Sequence, residues 1–257
     1  MRYLIIFFIS TLFVSCSGDL MNNEKSDYWS SKQLLDTTGL KIYPFVPFTD
    51  EEWQETSNAY KLEHRQIPED FLNNMNSKDL FYQIVYTDLS KNMLLFNTFQ
   101  QGFENIRQMN MVPGLLNRSD AGHVLLGILQ KVTPSKIDGE DCFWFYHCLQ
   151  IILAQREVIN GMTDEDIDNC ITQQLRCHDA IRNLSKNNDN WEYPQSASII
   201  LYGLGNIMIQ YKFEPFIEQL NRNPVTNELI WDTQFITEQS ALQVIDYIKQ
   251  FKTVLDQ

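Results

Sequence analysis

The chain has 257 residues, an apolar fraction of 44% and a formal net charge of −13. The apolar fraction suffices for a sizeable core and excludes global disorder. The acidic balance excludes a surface for nucleic-acid phosphates, and the sequence has no basic cluster that would hold anionic lipid. We therefore expect a folded protein without a nucleic-acid partner.

The first element is an apolar leader that ends at a cysteine. A positive charge at Arg2 precedes an apolar stretch over residues 4–14, which is too short to cross a bilayer as a permanent helix. The triplet VSC at residues 14–16 resembles the lipobox of bacterial lipoproteins, which are cleaved just before a lipid-modified cysteine. The resemblance implies a signal peptide over residues 1–15 and lipid attachment at Cys16. The alternative is an ordinary signal peptide followed by a chance cysteine.

An anchor at Cys16 would set both the location and the membrane contact of the protein. Two acyl chains hold a protein on a membrane stably, whereas one holds it only marginally. Ser17 stands where some bacteria place an inner-membrane retention Asp, so we expect an exported outer-membrane lipoprotein on the periplasmic or cell-surface face. Residues 16–32 are mostly polar and predict a lipidated tether with a reach of roughly 20 Å.

Two features follow the tether. Asp36-Thr37-Thr38 resembles the three-residue O-glycosylation signal of Bacteroidetes proteins, which implies modification at Thr37, although so short a motif also occurs by chance. Residues 40–48 (LKIYPFVPF) contain two prolines, which exclude a helix or a central strand. This stretch is predicted to be an extended segment laid over the body.

From Thr49 onward the pattern is helical. Thr49 and Glu52 form a capping box, and no alternating strand longer than four residues is evident. We predict an all-α fold with a single domain over residues 33–257, built as an irregular stack of helical hairpins that is HEAT-like or armadillo-like, or as an orthogonal bundle. The predicted helices are 49–61, 68–75, 78–86, 90–109, 113–118, 120–132, 141–159, 164–185, 195–212, 214–222 and 238–256.

A weak internal repeat accompanies these helices. Asn76 with Asp79, and Asn117 with Asp120, each precede an apolar helix at a spacing of 41 residues, and Asp166 lies 46 residues further on. Helical-pair repeats of the HEAT and armadillo kind have periods of about 40–47 residues. The alternative is that Asn and Asp simply favour helix starts.

Three stretches together resemble a pattern in uncharacterised exported helical proteins of gut Bacteroidetes. They are QIPEDFLNNMNSKDLFYQIVY, NTFQQGFENIRQM and LLNRSDAGHVLLGIL, within residues 60–132. The resemblance implies export and helical content. It implies no activity and transfers no functional residue.

Motifs for metals and cofactors are incomplete. Residues 164–175 carry Asp at calcium-loop positions, but Asn169 and Leu175 stand where Gly and Glu are needed, so these acids are expected at a helix start. Gly203 and Gly205 lack both a third glycine and a preceding strand, so dinucleotide binding is not expected. We assign no metal ligand and no cofactor.

The cysteines of the body allow three interpretations. Helices 141–159 and 164–185 are expected to run antiparallel around a turn near Gly161, which brings Cys148 within one turn of Cys177. The three interpretations are free buried thiols, a Cys148–Cys177 disulfide, and a mixed Cys/His metal or catalytic site. His178 lies mid-stripe, the usual place of a hydrogen-bonded core histidine.

The function expected from these features is a lipid-anchored binding or scaffolding module of the cell envelope, with an envelope protein as its partner. One alternative is a helical enzyme that acts on glycan through carboxylates in a groove, and another is a structural spacer. Aromatic residues outside the helical stripes are candidates for a partner surface, although they could instead seal the ends of the helical stack. These residues are Tyr43, Phe45, Phe48, Trp191 and Tyr193.

Overall fold

The computed structural model describes residues 30–133, 140–187, 193, 195–222 and 237–255. Within these ranges the chain forms α-helices and 3₁₀-helices and no β-strand, so the predicted all-α class is confirmed. The predicted signal peptide, the lipid site at Cys16 and most of the tether lie outside the described residues, as does Trp191.

The helices follow one another closely along the chain. Two 3₁₀-helices cover Asp88–Leu95 and Gln195–Ala197. The α-helices are α1 Ser31–Leu34, α2 Asp50–Glu55, α3 Asn58–Glu63, α4 Glu69–Leu72, α5 Ser77–Tyr86, α6 Phe99–Ile106, α7 Met111–Leu116, α8 Ala121–Leu129, α9 Glu140–Leu153, α10 Arg156–Asn160, α11 Asp164–Asn187, α12 Ser198–Gln210, α13 Glu214–Arg222 and α14 Glu238–Leu255.

Several helix starts are set by local hydrogen bonds that the sequence predicts. The Thr49 side chain accepts a hydrogen bond from the backbone N–H of Glu52, whose carboxylate accepts one from the backbone N–H of Thr49. Asn76 and Asp79 form the same reciprocal pair at the start of α5. Each pair satisfies backbone donors that a helix N-terminus otherwise leaves free.

Two predicted helices have wrong bounds because an unrecognised cap interrupts them. The predicted helix 49–61 is divided into α2 and α3, since the Ser57 side chain accepts from the backbone N–H of Tyr60 and starts a new helix. The predicted helix 90–109 begins instead as the 3₁₀-helix, and Ser90 does not cap it but donates its hydroxyl to the Thr87 carbonyl. The α-helix there starts only after Thr98.

The predicted helix 141–159 is also interrupted. It ends at Leu153, and α10 begins at Arg156 with Gln155 as its N-cap. Gly161 then ends α10 as its C-cap, so the predicted turn near this glycine is confirmed. The chain therefore reaches α11 through an additional short helix.

The helices pack in two connected rows. In the first row α5 contacts α8, α8 contacts α11, and α11 contacts α14. In the second row α6 contacts α9 and α9 contacts α12, while α12 also packs against α11 and α14. Arg118 Nη2 donates to the Met75 carbonyl over a separation of 43 residues, and Arg176 Nη2 donates to the Val132 carbonyl over 44 residues. The steps from α5 to α8 and from α8 to α11 therefore have similar offsets along the chain, whereas α14 follows α11 after a longer stretch.

One bond crosses a much longer stretch of chain. The Tyr202 hydroxyl on α12 donates to Gln100 Oε1 on α6 at 2.7 Å, although the two residues are 102 positions apart. Gln155 Nε2 lies 3.5 Å from the same hydroxyl, and the ring of Tyr202 meets the ring of Phe99 edge to face. These side chains link α6, the start of α10 and α12 at one point.

A single hydrophobic cluster extends from Leu34 to Phe251 and includes residues of both rows. α12 is its most enclosed element, with buried residues on almost every side from Ser198 to Met208. Among the helices within the described ranges, none combines the length and apolar character needed to span a bilayer.

Candidate functional site: a strap on helix α5

Residues 34–48, which we call the strap, lead from the predicted tether into the helical body. Residues 40–48 have neither helix nor strand, as the two prolines predict. The earlier part contains a turn in which the backbone N–H of Leu40 donates to the Thr37 carbonyl at 3.0 Å. Gly39 takes a φ of 81° in this turn, which glycine adopts without strain.

The middle of the strap is held by two side chains of α5 that bind its main chain. The backbone N–H of Lys41 donates to Asp79 Oδ1 at 3.1 Å. The backbone N–H of Tyr43 donates to Gln83 Oε1 at 2.6 Å, and Gln83 Nε2 lies 3.4 Å from the Tyr43 carbonyl oxygen. Gln83 thus pairs with both main-chain groups of one strap residue.

The first part of the strap is held by two tyrosines of the same helix. The Tyr82 hydroxyl donates to the Leu34 carbonyl at 3.0 Å, and the Tyr86 hydroxyl donates to the Leu35 carbonyl at 2.5 Å. Residues 79, 82, 83 and 86 are separated by three, four and seven positions, so they lie on one face of the helix. That whole face is directed at the main chain of the strap.

The polar groups of this face are deeply enclosed. Asp79 and Gln83 each retain only 2% of their exposure. A buried polar group costs free energy unless it is hydrogen-bonded. Asp79 satisfies one oxygen at the cap of its own helix and the other at Lys41, whereas both amide groups of Gln83 meet the strap. The strap therefore supplies hydrogen-bond partners that the buried polar side chains of α5 require.

A buried arginine holds the last part of the strap. Arg65 is 3% exposed, and its Nε and Nη2 donate to the two carboxylate oxygens of Asp88 at 2.9 and 2.6 Å. Its guanidinium also lies 4.0 Å from the ring centroid of Phe48 and 5.2 Å from that of Phe45. A guanidinium that is paired and covered by aromatic faces in this way fixes several elements at once.

The predicted partner-surface aromatics of the strap point mostly towards the body. Tyr43, Phe45 and Phe48 are half-buried, and the ring of Tyr43 meets Phe71 edge to face at 5.2 Å. Val46, by contrast, is 82% exposed. These aromatics therefore pack between the strap and the helices. The solvent-facing side of the strap carries Val46 and the two prolines.

The predicted surface residue Tyr193 belongs to a different neighbourhood. Its hydroxyl lies 3.0 Å from Nε2 of His178, and its ring lies near the Arg182 guanidinium. His178 is 1% exposed and its pKa is lowered, mainly by burial, so its predicted role as a hydrogen-bonded core histidine is confirmed. The contacts of Tyr193 are with α11, whereas those of Tyr43 are with the strap, α4 and α5. Trp191 lies outside the described residues.

The thiols of the body do not form the disulfide that the sequence left open. Cys148 hydrogen-bonds with Ser90, whereas Cys177 hydrogen-bonds with Tyr146, so the two thiols have different neighbours. Burial raises the pKa of Cys148 to about 12 and that of Cys177 to about 11. All four are free and buried: Cys142, Cys148, Cys170 and Cys177. In the described part of the chain no three His, Cys, Asp or Glu side chains gather closely enough to hold a metal ion.

We expect these thiols to resist modification in the folded protein. In a chain that carries Cys16→Ser, a thiol reagent at mildly alkaline pH should label the native body slowly, because burial removes both access and thiolate character. After unfolding in denaturant without reductant, four thiols per chain should react, matching the four free cysteines. A yield of two thiols after unfolding would show that a disulfide forms in the oxidising compartment.

The carboxyl groups whose pKa values are shifted lie in a turn or at helix caps. Hydrogen bonds from Thr38 lower the pKa of Asp36, and hydrogen bonds from Thr49 lower the pKa of Glu52. The pKa of Asp166 is also lowered, because hydrogen bonds from its neighbours outweigh the opposing effect of burial. A glycosidase acid needs a raised pKa. These groups therefore do not support the glycan-enzyme alternative.

Sequence reasoning missed the side chains that hold the strap. In the sequence, Asp79 is interpreted as a helix-start residue and as part of the weak repeat, and Gln83, Arg65 and Asp88 are not singled out. A signal was present, because Asp79 and Gln83 are polar and one turn apart in a helix whose residues from Leu80 to Tyr86 are otherwise apolar or aromatic. Two polar residues on the buried face of a helix require a partner outside that helix.

Comparison of the chain with protein-family models, with curated proteins and with solved structures finds no significant match.

Proposed function

We propose that the protein is a lipid-anchored binding or scaffolding module of the bacterial cell envelope, fixed to the outer membrane through Cys16. The leader and the lipobox-like triplet support export and anchoring. The similarity of residues 60–132 to exported helical proteins of gut Bacteroidetes supports the same location. The partner we propose is another envelope protein.

The observation that carries the scaffolding role is the docking of the strap. The chain that leaves Cys16 reaches the first docked residue, Leu34, after a short stretch with a reach of roughly 20 Å. From there to Phe48 it is fastened to α5 and to Arg65 by main-chain hydrogen bonds and aromatic contacts. A body held in this way stays within reach of the membrane, as a tethered scaffold requires.

The anchor is tested by Cys16→Ala. The wild-type chain should partition with detergent at its mature size, and the variant should remain an uncleaved or soluble precursor, because the acylated thiol is the proposed membrane contact. Ser17→Ala serves as the matched control and should behave as wild type. Full membrane partition of the Cys16→Ala chain at mature size would refute the anchor.

Modification of Thr37 is a further part of the proposal. The exposed Asp36 accepts a hydrogen bond from the backbone N–H of Thr38, which is also exposed, and Thr37 lies half-buried between them at the start of the turn. Mass spectrometry of the mature protein should find glycan on the peptide that contains Thr37 and not on the same peptide from a Thr37→Val chain.

A further inference from the structure

The end of the strap meets α2 and α3 in an exposed group of apolar and aromatic side chains, which we call the aromatic patch. It consists of Val46, Phe48, Trp53, Tyr60 and His64. Val46 is 82% exposed, Tyr60 is 41% exposed, and His64 is exposed as well. The rings of Phe48 and Trp53 are half-buried. Contiguous exposed surface of this kind is typical of a site of protein interaction.

Ring contacts join the members of the patch. The ring centroid of Phe48 lies 6.0 Å from that of Trp53 and 6.4 Å from those of both Tyr60 and His64. The rings of Tyr60 and His64 stack with their centroids 3.8 Å apart. Phe48 is therefore central to the patch, and the buried guanidinium of Arg65, 4.0 Å from its centroid, holds it to the body. A surface fixed in this way loses little conformational freedom on binding.

The two helices that carry the patch are strongly acidic. Five exposed carboxylates lie on them, at Asp50, Glu51, Glu52, Glu55 and Glu63. Within the ranges that the structure describes, none of these carboxylates forms an ion pair. The two helices contribute a single cation, Lys61. The patch therefore lies in a negative field, which favours a cationic partner.

One contact within the patch shows how its rings receive a cation. Lys61 Nζ lies 4.3 Å from the ring centroid of Trp53 and donates a hydrogen bond to the Trp53 carbonyl. An ammonium held against an aromatic face in this way gains a cation–π attraction. Tyr60 stacks on His64 through one face and stays 41% exposed, so its ring has room for a second cation from outside the chain.

We propose that the aromatic patch binds a segment of the partner protein that carries arginine or lysine side chains. The inference rests on the proposed binding role and adds the chemistry of the partner. The cationic groups pack on Tyr60 and pair with the carboxylates of α2 and α3, while their aliphatic stems cover Val46 and Phe48. The aromatic rings supply the affinity, and the acidic surroundings exclude acidic partners.

The first test uses the full chain in non-ionic detergent at about 0.1 M salt, with a fluorescent hexa-arginine peptide as the probe and anisotropy as the readout. Tyr60→Leu keeps every charge and a good helix former but removes the aromatic face. It should weaken peptide binding by about two- to fivefold, the contribution of an exposed cation–π contact. Tyr60→Phe restores the ring and should bind the peptide as wild type does.

The second test separates the patch from the overall negative charge. Glu51→Gln with Glu63→Gln removes two charges beside the patch, and Glu165→Gln with Asp246→Asn removes two from α11 and α14. The first pair should weaken hexa-arginine binding by at least about threefold and the second by less than about twofold, because exposed charges act mainly within about 10 Å. All four side chains are exposed, so helix content by circular dichroism should stay at the wild-type level.

Three results overturn the inference. One is equal binding of hexa-arginine to wild type and to a folded Tyr60→Leu chain. Another is an equal loss of binding in the two charge variants, which would show that the peptide responds only to net charge; this arm decides alone if Tyr60→Leu does not fold. The third is a wild-type chain that binds hexa-arginine no better than hexa-glutamate. None of these results alters the detergent partition of the Cys16 variants, so failure of the patch and failure of the anchored module are distinguishable.

Discussion

Arg65→Leu is expected to lower the free energy of unfolding by about 3 kcal/mol. The change removes two charge-assisted hydrogen bonds to Asp88 and the guanidinium contacts with Phe45 and Phe48. Breaking a buried ion pair from one side costs about 3–5 kcal/mol. The lower value applies because the Asp88 side chain retains 35% of its exposure and is partly solvated.

Urea unfolding followed by circular dichroism measures this effect. Arg222→Leu is the matched control, because Arg222 pairs with Glu218 on the surface of α13 and is 75% exposed. Exposed helix pairs contribute about 0.3–0.5 kcal/mol, so this variant should unfold near the wild-type midpoint. If the two leucine variants shift the midpoint equally, Arg65 does not hold the strap to the body.

Gly102→Ala is expected to destabilise the protein by about 3 kcal/mol or more. A Cβ atom at this position of α6 would lie 1.9 Å from the carbonyl oxygen of Met93. The obstacle is backbone in the neighbouring 3₁₀-helix and not the end of a flexible side chain. Relief therefore requires α6 and the segment Asp88–Leu95 to move apart, which opens the core at Phe103.

Gly127→Ala provides a control with the opposite sign. Gly127 lies inside α8 and a Cβ atom there meets nothing within 4 Å. Alanine in an open helical position should stabilise the protein by about 0.5–1 kcal/mol relative to glycine. The midpoint temperature of thermal unfolding should thus be lower than that of wild type for Gly102→Ala and higher for Gly127→Ala. A neutral Gly102→Ala would mean that α6 and the 3₁₀-helix are not in close contact.

The features that could be predicted from the sequence are those set within a few residues. The Thr49–Glu52 capping box joins residues only three positions apart, and it starts α2 as expected. The apolar spacing of the last helix predicts residues 238–256, and α14 spans Glu238–Leu255 with its buried residues on one face. The prolines of residues 40–48 likewise exclude regular structure by their own geometry.

The features that could not be predicted depend on groups far apart in the chain. Gln83 is a common helix residue, and its role becomes visible only when Tyr43, 40 positions earlier, lies against it. Ser57 and Thr98 each cap a new helix inside a stretch that the sequence predicts as one continuous helix. Of the three interpretations of the cysteines, the structure has the free, buried thiols, and Cys148 lies beside Ser90, a residue far from it in the chain.

The bond between Tyr202 and Gln100 has a consequence for how the body unfolds. In a row of helices that touch only their neighbours, each end can open separately, and unfolding loses its all-or-none character. Tyr202 joins the third helix of the second row directly to the first, across 102 positions of chain. Opening either end must break this part-buried contact, so α6 and α12 are coupled in one cooperative unit.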